Sequence, residues 1–294
     1  MMELVRALGV AYEENVPMSA KTSFKIGGPA ELMLFPATPG QLSDCLKLCA
    51  EQGVKPFILG NGSNLLVKDS GIDGVVISTE KLQKMTYMGD GLIYCEAGVR
   101  LGELCVFAQK QGLAGLEFAY GIPGSAGGAV YMNAGAYGGE MKDILHSAQY
   151  IDASGELREL PAGELELDYR SSVFMRNNGV VAGLTVKLRP GDPAEIRAKM
   201  NETMQKRKDK QPLELPSAGS VFKRPEGRFA GALIEQCGLK GQSVGGARVS
   251  EKHAGFIVNA GGASAADVRA LIALVQTVVE AETGVFLEPE IRFV

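Results

Sequence analysis

The stretch ILGNGSNLLV, residues 58–67, contains the first side chains whose types and spacing indicate chemistry. Its residues 61–64, Asn-Gly-Ser-Asn, directly follow a predicted strand, and successive backbone N–H groups with small polar side chains can form an anion-binding nest. The glycine that would complete a dinucleotide fingerprint is replaced by Leu65, and no lysine stands where a P-loop needs one. From spacing alone, a phosphate-binding nest and a tight turn between two strands are equally good interpretations.

A second glycine-rich segment, GIPGSAGGAVYMNAGAYGGE, occupies residues 121–140. Flexible linkers are also rich in glycine and serine, but this segment contains Val130, Tyr131, Met132 and Tyr137, which need apolar surroundings. We therefore expect a folded loop that a ligand or another backbone approaches closely. Two such loops in one region of the chain favour a large cofactor that contains phosphate groups.

The cysteines and histidines do not have the spacing of a metal site. None of the five cysteines forms a CxxC pair, and Cys45 and Cys49 lie four residues apart on one face of a predicted helix, as small buried side chains often do. The chain has only two histidines, His146 and His253. We predict no bound metal. His146 is expected at the surface, and His253 is expected to be either a donor in a pocket or a hydrogen-bonded structural residue.

Composition and charge limit the possible partners. The 294 residues include 46% hydrophobic and 22% charged side chains, and the formal net charge of −4 is not that of a nucleic-acid-binding protein. The N-terminus lacks the pattern of a secretory signal, and no stretch approaches the roughly 18 apolar residues of a membrane span. We expect a cytoplasmic protein without membrane insertion, and we infer no obligatory protein partner.

Hydrophobic patterning predicts an α+β fold in three parts. Residues 1–79 alternate strands and helices, and residues 80–190 contain hairpins with few helices. Residues 191–294 begin with a polar helix at Asp192-Pro193 and end with the predicted strand VFLEPEIRFV. This last strand is expected either to stay in the third part or to return to the first.

Six motifs occur in the order and approximate spacing of one enzyme family. They are TSFKIGGPA (22–30), LGNGSNLLV (59–67), GIPGSAGGAVYMNAGAYGGE (121–140), DYRSSVF (168–174), SAGSVFKRP (217–225) and LEPEIRF (287–293). Together they span nearly the whole chain, which resembles the UDP-N-acetylenolpyruvoylglucosamine reductases, flavoenzymes that complete UDP-N-acetylmuramate for bacterial peptidoglycan. The resemblance implies a two-part FAD-binding module of the vanillyl-alcohol-oxidase (PCMH-like) type and a C-terminal α/β substrate domain.

The resemblance also implies that both glycine-rich loops wrap non-covalently bound FAD, with main-chain groups facing its pyrophosphate. The residues implied in FAD binding are Asn61, Gly62, Ser63, Asn64, Gly124, Ser125, Gly128 and Ala129. For Tyr120 and Tyr137, stacking on a ring and filling of the core are equally good interpretations.

In the implied reaction, NADPH reduces the flavin, and the flavin N5 then gives a hydride to UDP-N-acetylglucosamine enolpyruvate. Arg170 and Glu290 match the positions that stabilise the resulting enolate, and Glu290 can donate only when protonated, which burial beside an anion favours. Ser220 matches the proton donor, and its weak acidity suffices because an enolate carbon is a strong base. Without the resemblance, the three would be interpreted as a surface charge, an edge-strand carboxylate and a turn residue.

A UDP-sugar has two phosphates, so a local group of cations is expected despite the negative net charge. Lys210 matches the basic position of the family, and Lys223 and Arg224 follow Ser220 closely enough to share its pocket. One form of the family has asparagine where Arg224 stands, which puts the role of Arg224 in question. No tyrosine lies between residues 171 and 210, as in the shorter form of the family that lacks a tyrosine-bearing loop.

Two other functions remain open at this point. A different FAD-dependent oxidoreductase or oxidase of the same fold is one of them, although many such oxidases tether flavin through a histidine that neither loop contains. A non-catalytic flavin-binding protein is the other, and it gives no reason for Arg170, Ser220 and Glu290 to converge.

Overall fold

The computed structural model describes residues 2–294, which form two compact units. The first unit contains the N-terminal residues to Glu14 together with Leu32–Asn61 and Gly74–Lys206. The second contains Asn15–Glu31, Gly62–Asp73 and Arg207–Val294. The boundaries near residues 79 and 190 that the sequence suggested stay predictions.

Single helices are separated along the chain by one or more strands. The helices are α1 Met2–Ala7, α2 Met18–Lys21, α3 Pro39–Glu51, α4 Leu101–Lys110, α5 Ala126–Tyr131, α6 Phe174–Asn177, α7 Pro193–Lys210, α8 Ala230–Gln236 and α9 Ala265–Thr283. The strands before residue 140 are β1 Ala11–Pro17, β2 Pro29–Phe35, β3 Phe57–Leu59, β4 Leu65–Leu66, β5 Ile72–Ser78, β6 Met85–Gly89, β7 Leu92–Glu96, β8 Leu113–Ala114, β9 Gly135–Ala136 and β10 Gly139–Glu140. The later strands are β11 Leu145–Ile151, β12 Leu157–Pro161, β13 Val180–Lys187, β14 Arg189–Pro190, β15 Ser217–Ser220, β16 Ser243–Val244, β17 Ala247–Val249, β18 Phe256–Asn259 and β19 Arg292–Phe293.

The strands form three larger sheets. The order is β1-β2-β5-β3 in the first, β12-β11-β13-β7-β6 in the second and β15-β18-β17-β16 in the third. The second sheet contains both hairpins that the sequence predicted, because Gly91 and Gly155 supply positive φ angles at their turns. Short pairs join β9 to β10, β8 to β14 and β4 to β19.

Each unit has its own hydrophobic core. In the first, α3 packs through a stripe that includes Leu42, Cys45 and Cys49, as predicted, and burial raises the pKa of Cys45 to about 12. In the second, α9 contributes residues such as Val268 and Val275. Residues 2–294 contain no cluster of histidine, cysteine or acidic side chains that could hold a metal ion.

The end of the chain differs from its sequence prediction. Only Arg292–Phe293 of VFLEPEIRFV is a strand, and it pairs in parallel with β4. The residues before it follow an irregular path, because Pro289 has no backbone N–H to donate and Glu290 N–H donates to the carbonyl of Val221. None of the helices within residues 2–294 has the length and apolar character needed to cross a membrane.

Candidate functional site

The two glycine-rich loops meet inside the first unit. The side-chain amide of Asn61 donates to the carbonyl oxygen of Pro123. A Cβ atom on Gly60 would lie 2.6 Å from the hydroxyl oxygen of Ser125, which is buried. Glycine at position 60 therefore lets the first loop approach the second, as a shared ligand-binding surface requires.

Ser125 starts helix α5 and fixes the second loop. Its hydroxyl accepts a hydrogen bond from Gly128 N–H at 3.4 Å, which makes it the N-cap of the helix. Gly127 N–H donates to the carbonyl of Ala97 at 2.8 Å, and a Cβ on Gly127 would lie 2.7 Å from the Cβ of Ala97. The small residues of the loop therefore allow the helix to lie directly on the chain that follows β7.

The backbone N–H groups separate the eight predicted FAD-binding residues into two sets. Within residues 2–294, six of these N–H groups donate to no other group; they belong to Asn61, Gly124 and Ser125 of the first unit and to Gly62, Ser63 and Asn64 of the second. In contrast, Gly128 N–H donates to the Ser125 hydroxyl and Ala129 N–H donates to the Ser125 carbonyl. The first set can donate to an anion, whereas Gly128 and Ala129 can offer only a small surface.

Tyr120, directly before the second loop, and Tyr137, within it, have different surroundings. Tyr120 is half-buried and packs against the first core, which favours core filling. Tyr137 has 45% of its surface exposed and a φ of 52°, so it does not fill the core.

Gly62 positions the nest in the second unit. Its φ is +61°, and a Cβ there would lie 2.1 Å from the carbonyl oxygen of Lys21, so a side chain would collide with the backbone. Ser23 N–H donates to Gly62 O, and the Ser23 hydroxyl donates to the carbonyl of Ser217 at 2.7 Å. The motif at residues 22–30 thus connects the nest to strand β15, which ends at Ser220.

The segments of Ser220 and Glu290 are directly hydrogen-bonded in the second unit. Glu290 N–H donates to Val221 O at 2.7 Å, next to Ser220 in the chain. The side chain of Asn64 donates to Glu290 O at 3.2 Å, which adds the nest to the same network. Ser220 and Glu290 are both half-buried. The fold therefore brings a hydroxyl-bearing residue, a carboxyl-bearing residue and the nest into neighbouring backbone positions.

His253 lies beside Ser220. Its Nδ1 accepts from Gly255 N–H at 3.1 Å, and a Cβ on Gly255 would lie 3.3 Å from the Ser220 hydroxyl oxygen and 3.0 Å from His253 Cε1. The ring packs edge-on against Phe256. Burial lowers the pKa of His253 below its usual value of 6.5. Together these contacts favour the structural interpretation of His253.

The three cations predicted to bind substrate differ in their contacts. Lys223 forms an ion pair with Glu288 at 2.5 Å. The Arg224 guanidinium lies 4.0 Å from the ring centroid of exposed Phe229. Lys210 is exposed at the last residue of α7. All three belong to the second unit, as does Ser220.

Arg170 belongs to the first unit, in a tight turn. Asp168 and Ser171 exchange two backbone hydrogen bonds of 3.2 and 3.1 Å across it. Arg170 has a φ of 52°, a left-handed conformation that costs a non-glycine residue free energy, and its guanidinium lies 4.9 Å from the Tyr169 ring centroid. The convergence of Arg170 with Ser220 and Glu290 stays a prediction.

Asn133 is hydrogen-bonded to the turn of Arg170, and its place in the sequence does not single it out. It is fully buried, and its side chain bonds to Glu140, to the carbonyl of Asp168 and to Lys142 N–H. Its φ of 41° is one that asparagine tolerates better than most residues. An asparagine among small residues, in MNAGA, was the available signal.

Comparison with known proteins identifies relatives over the whole chain. Residues 211–294 match the family model "UDP-N-acetylenolpyruvoylglucosamine reductase, C-terminal domain", and residues 30–161 match "FAD binding domain". A protein of Clostridium perfringens described as UDP-N-acetylenolpyruvoylglucosamine reductase is 49% identical over 298 residues, which cover 100% of this chain and 98% of the relative. A protein of Clostridium novyi with the same description is 48% identical over 96% of this chain and 92% of its own length.

Solved structures agree with the sequence relatives. The crystal structure of UDP-N-acetylenolpyruvylglucosamine reductase from Thermus caldophilus matches with a TM-score of 0.81 and 36% identity, over 97% of this chain and 98% of that one. A chitooligosaccharide oxidase matches 64% of this chain and 43% of its own with a TM-score of 0.52 and 17% identity, a likeness of fold alone.

Proposed function

The chain belongs to the UDP-N-acetylenolpyruvoylglucosamine reductase family, and from that premise we propose that it reduces UDP-N-acetylglucosamine enolpyruvate to UDP-N-acetylmuramate with NADPH as electron donor. The chain is an FAD-containing oxidoreductase of peptidoglycan precursor synthesis. The observation that carries the residue roles is the hydrogen-bonded network of Asn64, Glu290 and Val221, which places the nest beside the segments of the proposed acid and proton donor.

The two loops fit FAD. Its pyrophosphate needs several N–H donors, and six backbone N–H groups of the loops donate to no other group within residues 2–294. We assign these contacts to Asn61, Gly62, Ser63, Asn64, Gly124 and Ser125, whereas Gly128 and Ala129 supply small surfaces. When bound, FAD supplies the hydride chemistry that no side chain can perform.

Arg170 and Glu290 are proposed to bind the carboxylate end of the substrate. Hydride addition beside a carboxylate builds negative charge on that group, and a guanidinium offers two parallel donors to it. A protonated Glu290 can donate one further hydrogen bond to the same oxygens. Both contacts strengthen as the charge develops, so they lower the barrier more than they tighten substrate binding.

Ser220 is proposed to give the proton to the carbon next to the carboxylate. Its hydroxyl oxygen lies near Gly255 and His253, whose ring nitrogen Nδ1 already accepts from a backbone N–H. The Ser220 hydroxyl, held on strand β15, can therefore donate to the substrate because it does not have to donate to His253 Nδ1. The hydroxyl donates to a strongly basic carbon and regains a proton from solvent after the product leaves.

Lys210, Lys223 and Arg224 are proposed to bind the diphosphate of the UDP-sugar. Lys223 is paired with Glu288 and Arg224 lies over Phe229, so both would exchange a protein contact for phosphate oxygens. Exposed Lys210 is expected to bind with the smallest rearrangement.

The function is tested with purified protein under anaerobic conditions. The protein is expected to be yellow, to lose its flavin colour on addition of NADPH and to regain it on addition of the enolpyruvyl UDP-sugar, with slower recovery by oxygen alone. Rapid recovery by oxygen and none by the UDP-sugar would indicate an oxidase instead. If the bound flavin stays yellow after addition of NADPH or other cellular reductants, the protein binds flavin without catalysis.

A further inference from the structure

The turn that contains Arg170 is attached to the second glycine-rich loop on both sides. On its N-terminal side, the amide of Asn133 donates to the carbonyl of Asp168 at 3.1 Å. On its C-terminal side, the Ser172 hydroxyl donates to the carbonyl of Tyr131 at 2.8 Å. The two bonds thus flank Arg170 at equal distances along the chain and join it to two nearby loop residues.

Both anchoring side chains are fully buried and satisfied. Asn133 and Ser172 each have 0% of their surface exposed. The Asn133 amide also donates to Glu140 at 2.8 Å, and its carbonyl accepts from Lys142 N–H at 3.0 Å, so the side chain has a single orientation. Buried groups with several fixed bonds have little freedom to move, and the turn that they hold shares that rigidity.

The conformation of Arg170 needs such support. A left-handed φ of 52° at a non-glycine residue persists only where the surroundings impose it. The two backbone bonds between Asp168 and Ser171 close the turn but do not attach it to the loop. The side chains of Asn133 and Ser172 each add a bond between the turn and the loop.

We propose that Asn133 and Ser172 are positioning residues, which hold the Arg170 guanidinium in register with the second glycine-rich loop. The inference rests on the proposed role of Arg170 in binding the substrate carboxylate. The anchors touch neither substrate nor cofactor in this assignment, and they act through the backbone of the turn. Loss of an anchor then slows the step that needs Arg170, which is hydride transfer to the enolpyruvyl substrate.

The first test is Asn133→Asp in the holoenzyme, which keeps an acceptor for Lys142 N–H but removes both N–H donors. We expect reoxidation of the NADPH-reduced enzyme by the enolpyruvyl UDP-sugar to slow about tenfold or more, since displacement by about 1 Å can cost about a hundredfold. Flavin reduction by NADPH is expected to change less than about twofold. The matched control is Asn178→Asp, an exposed asparagine of the same unit with a φ of 57°, which is expected to leave both rates unchanged.

A double-mutant cycle separates positioning from general structural damage. In an Arg170→Ala background, Asn133→Asp is expected to slow reoxidation by less than about twofold more, because the group that it positions is gone. If its full effect remains in that background, or if it behaves like Asn178→Asp, the inference is overturned. If Arg170→Ala itself leaves reoxidation unchanged, the proposed role of Arg170 fails, which is a different and recognisable outcome.

Asn133→Asp puts a new carboxyl group beside Glu140, so a milder variant is needed in case the protein does not fold. Ser172→Ala removes only the opposite anchor, and it is expected to slow reoxidation with the same dependence on Arg170, with recovery in Ser172→Thr. The control is Ser147→Ala, a buried serine of the same unit whose hydroxyl donates to Glu159. Equal rates for Ser172→Ala and Ser147→Ala would overturn the inference.

Discussion

At the scale of single residues, Gly62 is held in a conformation that only glycine adopts without strain. Its φ is positive, and the Lys21 carbonyl fills the space where a Cβ would lie. Two separate costs therefore oppose any side chain here, one from the backbone angle and one from the collision.

Gly62→Ala is expected to lower the free energy of unfolding by several kcal/mol, the size seen when backbone strain and overpacking combine. The control, Gly238→Ala in the same unit, has a φ of 69° and open space around the Cβ, so it is expected to cost only about 1 kcal/mol. Urea unfolding followed by circular dichroism measures both values. Equal losses would mean that the Lys21 carbonyl does not restrict this position.

Among the elements, local signals predicted helices and hairpins well but predicted contacts between segments far apart in the sequence poorly. Ser264 and Asp267 have the spacing of a capping box at the start of α9, and the structure contains both of its hydrogen bonds. The pairing of the Glu290 segment with Val221 joins residues far apart in sequence, and no local pattern specifies it. For the same reason, local patterns did not indicate that the strand at the end of the chain would be limited to Arg292–Phe293.

His253 lies in the connection between β17 and β18. Burial of its ring predicts that the free energy of unfolding depends on pH. Its folded pKa lies below 6.5, so below that pH the unfolded chain binds a proton that the folded protein resists. The free energy of unfolding is therefore expected to be at its full value above pH 6.5 and to fall as the pH decreases from 6.5 through the folded pKa. Urea titrations from pH 7.5 to 5 measure it.

His253→Gln is expected to remove this part of the pH dependence, whereas His146→Gln, at an exposed histidine, is expected to keep it. A slope that persists unchanged in His253→Gln would assign the pH dependence to another group.

Over the whole molecule, six sequence motifs in register are enough to indicate the family. Family resemblance supplied the roles of Arg170, Ser220 and Glu290, and spacing alone would have left them ordinary surface or turn residues. The positioning role proposed for Asn133 depends on its burial and on hydrogen bonds to Glu140, Lys142 and Asp168, and composition and periodicity report none of these. Burial of polar side chains is the property that sequence patterns convey least.

The central claim, that this reductase completes its reaction with a proton from Ser220, is tested most directly by measuring the two half-reactions of Ser220→Ala. Ser243→Ala is the control, since its exposed hydroxyl donates to Gly241 O and accepts from Arg248 Nε, away from the residues assigned to the reaction. We expect NADPH to reduce the flavin of Ser220→Ala at the rate of the unmodified enzyme, while reoxidation by the enolpyruvyl UDP-sugar slows by several orders of magnitude. Equal slowing of both half-reactions, or of neither, would contradict it.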